Sequence, residues 1–107
     1  MHCQQYLALI TVKLVAHANS QLALQMKAYL RNQFEFLGIQ TPTRRSIYKD
    51  LPKLPQDAKL LLQIANQLWQ KPEREFRYVA CDLLIKNANA FTLEDLPAIQ
   101  KLLQTDS

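Results

Sequence analysis

The chain has 107 residues, room for one domain over 1–107 and one modest core. Its 49% hydrophobic and 21% charged residues exclude wholesale disorder, and the single glycine, Gly38, excludes a turn-rich all-β domain. Thirteen Lys and Arg stand against nine Asp and Glu, unevenly: residues 1–53 hold seven bases and two acids, residues 54–107 six bases and seven acids. A basic half suits a polyanion such as nucleic acid, although a charge of +4 also serves solubility alone.

Helical periodicity runs through the whole sequence. Leu7, Ile10 and Leu14 share one face of a first helix over 4–17. Asn19 and Ser20 are N-cap residues for a second helix at about 21–33, with Leu22, Met26, Tyr29 and Leu30 as its inward stripe. A hydrophobic connector follows from Phe34 to Gln40, in which Gly38 supplies a positive φ. Thr41 and Pro42 then read as cap and first residue of a third helix at about 43–51, broken by the two prolines of the segment from Leu51 to Pro55.

The fourth helix runs from Asp57 to about Gln70, with Leu61, Ile64, Ala65 and Leu68 on one side. Pro72 opens a fifth, whose core stripe is Phe76, Val79, Ala80, Leu83 and Leu84. Tyr78, Cys81 and Ile85 make its other side apolar too, which predicts a helix sandwiched between neighbours. Thr92 caps a last helix, with Asp95 at the capping-box position and Pro97 leaving its true start open between the two. About six helices on short connectors describe an all-α stack of helical hairpins, as in a solenoid.

Leu96, Ile99, Leu102 and Leu103 give the last helix a strong apolar face, followed by the capping residues Thr105, Asp106 and Ser107. That ending reads as an incomplete stack, the N-terminal portion of something longer or a truncated open reading frame. An uncovered strip of this kind predicts self-association through the last helix, or its fraying.

Cys3 and Cys81 lie far apart and read as reduced thiols of a cytoplasmic protein, while His2 and His17 are isolated. No metal or cofactor is therefore expected. The apolar run from Tyr6 to Val15 lacks a basic n-region and is interrupted by Lys13, which argues against a signal peptide, and no stretch is apolar enough to span a membrane. There is no P-loop, GxGxxG, HExxH or nucleophile elbow.

The strongest constellation is basic and aromatic. Lys27 and Arg31 are spaced i, i+4, as are Arg44 with Tyr48 and Arg45 with Lys49. Two adjacent helices would so present five cations and a phenol, side chains of the kind that contact phosphate, though a solvated helix face has the same composition. Glu73, Glu75 and Asp82 read as structural, with Asp82 paired to Lys86 one turn on. Trp69 reads as core.

The stretches MKAYLRNQFEFLGIQTPTRRSIYKD and LWQKPEREFRYVACDLLIKNA resemble the DNA alkylation repair family, the AlkD-like glycosylases, and the likeness covers nearly the whole chain. The resemblance implies a HEAT-like α-superhelix whose concave, basic surface cradles duplex DNA. It implies excision of N3- or N7-alkylated purines by hydrolysis of the glycosidic bond, the backbone being gripped around the lesion. An alkylated purine is a cationic leaving group, so the enzyme chiefly needs a carboxylate near the deoxyribose to stabilise oxocarbenium-like charge. The family's carboxylate is an aspartate just after a tryptophan pair. No Trp-Trp-Asp run occurs in these 107 residues, and Asp106 has no tryptophan beside it.

Of the family's groove-lining residues, the tyrosine of the second helix carries over as Tyr29. Lys27, Arg31, Arg44 and Arg45 join it as DNA-binding candidates on spacing alone. The expectation is a DNA-binding part of a glycosylase, inactive by itself. A silent DNA-binding scaffold and a helical protein–protein adaptor are the alternatives, and contact with three to five phosphates would separate both from the adaptor by a log–log salt slope of about −3 to −4.5.

Overall fold

The computed structural model describes residues 3–104, so His2 and the cap of Thr105, Asp106 and Ser107 lie outside the described residues. Six α-helices follow in order: α1 (Cys3–Ala16), α2 (Ser20–Tyr29), α3 (Thr41–Tyr48), α4 (Ala58–Trp69), α5 (Arg74–Lys86) and α6 (Leu96–Gln104). Two short 3₁₀ turns, Ala88–Ala90 and Leu93–Asp95, link α5 to α6. There is no strand among the described residues, only one isolated parallel bridge between Glu35 and Glu73. Among the described residues, no single helix is long and apolar enough to cross a membrane.

The centre is α4, against which α1, α5 and α6 pack. Asp57 starts it: the side chain accepts from the amides of Lys59 and Leu60, so two otherwise unpartnered donors of the first turn are satisfied. Leu61, Ile64, Ala65 and Leu68 are fully buried, the stripe that i, i+3, i+4, i+7 spacing predicts. Burial of each large side chain among them is worth about 1.5–3 kcal/mol. Tyr6, Leu7, Ile10 and Leu14 of α1 meet this face, as do Phe76, Val79, Ala80 and Leu83 of α5. This arrangement of paired helices is consistent with HEAT-like stacking.

The expectations for α5 and α6 need correction. The other side of α5 is not sandwiched: Tyr78 and Cys81 are half-buried, and Ile85 is 73% exposed. The side-chain bonds from α3 meet α5 at Asp82, one turn before Ile85. The apolar strip of α6 is not left bare either, because Leu102 turns into the core at 3% exposure while Leu96 and Leu103 remain outside. The start of α6 is also settled. The Thr92 and Asp95 capping box closes over the 3₁₀ turn, where the Asp95 carboxylate accepts from the Thr92 amide at 2.8 Å, and the α-helix begins at Leu96.

The second helix is the largest departure, for it ends at Tyr29 and buries no residue. Its C-terminus closes as a Schellman motif: the amide of Asn32 donates to the Lys27 carbonyl (2.8 Å) and that of Arg31 to Ala28 (3.0 Å). Arg31 and Asn32 both adopt left-handed backbone, at φ 59° and 60°. Glycine usually marks such a stop, and its absence here is why periodicity alone carried the helix on to residue 33. The third helix also sits slightly earlier than expected, with Gln40 as N-cap and Pro42 in its first turn.

Candidate nucleic-acid interface

A groove of about 630 Å³ lies between α2 and the start of α3. Met26, Tyr29 and Leu30 form one wall, and Phe36, Thr41, Arg44 and Tyr78 lie across from them. Tyr29 is 88% exposed, so it belongs to the groove wall and not to the inward stripe first assigned to it. Because α2 stops at Tyr29, Arg31 does not share a helix face with Lys27. Instead Arg31 stands on the left-handed turn just past Tyr29, with its side chain exposed.

Lys27 reaches the Glu35 carboxylate at 2.9 Å, a pair that solvent keeps weak. Arg45 is exposed on the outer side of α3. Arg44 is different. It shares the inner face of α3 with Ile47 at i, i+3 and is 7% exposed. Its Nε donates to the Tyr48 hydroxyl at 2.9 Å and its Nη2 to Asp82 at 3.3 Å, while the guanidinium lies 5.0 Å from the Tyr78 ring centre. Tyr48 in turn donates its hydroxyl proton to the same Asp82 oxygen at 2.7 Å.

Asp82 is thus the partner of Arg44 and Tyr48, not of Lys86, because α5 turns it toward α3 and leaves Lys86 exposed. A buried guanidinium needs such a counter-charge. Burial first, then the bond to the Asp82 carboxylate, pushes the Tyr48 phenol well above the usual tyrosine range. Burial, with Asp82 adding to it, also raises the Cys81 thiol. The phenol stays a proton donor to higher pH than an ordinary tyrosine, and the triad pins α3 to α5 beneath the groove.

Glu75 went unnoticed in the sequence beyond a structural reading, and it is fully buried. Its carboxylate accepts from three successive backbone amides of the connector, Leu37 at 2.9 Å, Gly38 at 3.0 Å and Ile39 at 3.1 Å. The signal lay in the spacing, since 75, 79 and 83 form one i, i+4, i+8 row that otherwise holds only Val79 and Leu83. An acid on a buried row must find donors of its own. Gly38 adopts φ +89°, as its position in the connector requires.

A further set of cation–aromatic contacts lines the start of α5, with Arg74 4.1 Å from the Phe34 ring centre and Arg77 5.1 Å from that of Trp69. Arg77 also donates to the Trp69 carbonyl at 3.1 Å, which caps the end of α4. Among the described residues, no group of three or more His, Cys, Asp or Glu is placed to hold a metal ion.

A family model described as DNA alkylation repair enzyme matches residues 10–107. The chain belongs to the DNA alkylation repair family. Its match takes in every element from the middle of α1 onward, including both walls of the groove and the Arg44, Tyr48 and Asp82 triad. A role in alkylation repair follows from that membership, with DNA as substrate or partner. No curated protein matches the chain.

Proposed function

We propose that these residues are the N-terminal part of a cytoplasmic alkylpurine DNA glycosylase, and that they contribute binding of the duplex backbone along the groove between α2 and α3. The observation that carries the reading is the exposed Tyr29, with Arg31 standing two residues beyond it, in a member of the repair family. A phenolic hydroxyl and mobile guanidinium and ammonium groups are donors suited to phosphate oxygens. Lys27, paired with Glu35, and Arg45, exposed on the outer side of α3, are the further candidates for phosphate contact outside the groove lining. Arg44 serves the same surface from beneath, holding the groove floor through Asp82 and Tyr48.

Hydrolysis of an N3- or N7-alkylated purine needs a carboxylate beside the deoxyribose. Asp82 is engaged by Arg44 and Tyr48, and Glu75 by three amides, so neither is disposed to take that part. The 107-residue chain alone is therefore expected to release no 7-methylguanine from methylated duplex DNA. Release above background would overturn that statement. Binding without any release is also what a silent DNA-binding scaffold would give. Self-association through α6 is supported by the exposure of Leu96 and Leu103, and a sedimentation profile that stays monomeric at high concentration would refute it.

A further inference from the structure

We infer that Glu75 is a positioning residue for α2, setting the place of the Tyr29 wall of the groove through the backbone of residues 37–39. The DNA-binding consequence rests on the function proposed above; the positioning itself does not.

The argument starts from what α2 lacks. None of its residues is fully buried, and its half-buried Leu22, Ala23 and Met26 stay outside the core cluster, so the core does not fix where it stands. Its attachment is through backbone instead. The Asn19 amide donates to the Leu37 carbonyl at 2.9 Å, and Gly38 lies so close to α2 that a Cβ there would come within 2.0 Å of the Asn19 carbonyl oxygen and 2.8 Å of the Ala23 nitrogen. The start of α2 therefore rests directly on the connector at 37–38.

The connector in turn is held by the first turn of α5. Glu75 binds the amides of residues 37, 38 and 39, and the Arg74 amide donates to the Glu35 carbonyl at 2.8 Å. Glu35 also takes the Lys27 ammonium, near the far end of α2. Two consecutive residues of α5 thus hold the connector on which the start of α2 rests, the solvent-weakened Lys27 and Glu35 pair adds little at its far end, and the phenol of Tyr29 moves with the helix. Since α5 is rooted in the core through Phe76, Val79 and Ala80, the chain of support runs from the core to the groove wall by way of one carboxylate.

The test uses Glu75→Gln in the full chain, because one amide nitrogen then faces a backbone N–H and the grip is loosened without a loss of volume. Hydrogen exchange is expected to quicken about tenfold or more at the α2 amides from Leu22 to Tyr29, and by less than about twofold in α4 and the later turns of α5. Equal acceleration in all three helices would mean a general stability role and would overturn the inference, as would no change in α2. Should Glu75→Gln fail to fold, Gly38→Ala presses on α2 from the other side and is expected to give the same selective pattern.

Duplex affinity supplies the second readout. Tyr29→Ala and Glu75→Gln are each expected to weaken binding by about tenfold, and the double variant by no more than either alone. Losses that multiply would show that Glu75 does not act through Tyr29. If the unaltered chain binds no duplex, the proposed function fails, and the exchange pattern still decides the positioning.

Discussion

The α4–α5 hairpin and α2 are held in place by different physics. The hairpin buries Leu61, Ile64, Ala65 and Leu68 against Phe76, Val79 and Ala80, so its position follows from apolar area removed from water. The shorter α2 has no fully buried residue and is held through amides, one glycine and two carboxylates of neighbouring segments. The proposed role of this surface, to meet a solvated polyanion, would gain from this arrangement, since exposed side chains such as Tyr29 and Arg31 point outward. The cost is that few interactions decide where the helix lies.

Core truncation draws the contrast most sharply. Leu68→Ala should lower unfolding free energy by about 3–5 kcal/mol, whereas Leu24→Ala on the 69% exposed position of α2 should change it by less than about 0.5 kcal/mol. Urea denaturation measures both, and comparable losses would erase the distinction. Next in size is Asp82→Ala. It leaves the Arg44 guanidinium buried without its counter-charge and should cost about 3 kcal/mol, while Lys86→Ala should be nearly silent.

Tyr48→Phe should cost about 1–2 kcal/mol at neutral pH, because Asp82 loses a donor and Arg44 an acceptor. It should also change the alkaline limb. The Tyr48 pKa is raised in the folded state, so the unfolded chain gives up its proton first as pH rises past about 10, and stability falls from there. The contribution is present below that pH and lost above it. Denaturation midpoints should therefore drop less steeply above pH 10 in Tyr48→Phe than in the unaltered chain, and equal slopes would contradict the assignment. Smallest is Arg31→Gly, which relieves a left-handed arginine and should stabilise the chain by about 0.5 kcal/mol while weakening duplex binding.

The same division governs what the sequence disclosed. Elements positioned by apolar stripes were legible to the residue, as were all four inward positions of α4, the N-cap at Asn19 and the positive φ of Gly38, whereas Asp57 was read as the start of the fourth helix and proves to be its cap. Charges were legible as a cluster but not as a geometry. The i, i+4 rule brought Arg44 to Tyr48, yet gave no hint that Asp82, thirty-four residues on from Tyr48, would claim both. It also joined Lys27 to Arg31 across a helix end that no glycine announced. Long-range polar pairing depends on which helix faces which, and that is settled only by packing.

Fluorescence titration of the 107-residue chain with a short duplex across a salt series tests the central claim most directly. With Lys27, Arg31 and Arg45 as the phosphate contacts, log affinity should fall against log salt with a slope near −3, and Arg31→Ala should reduce its magnitude by about one. Absence of duplex binding at low salt, or a slope that Arg31→Ala leaves untouched, would contradict it.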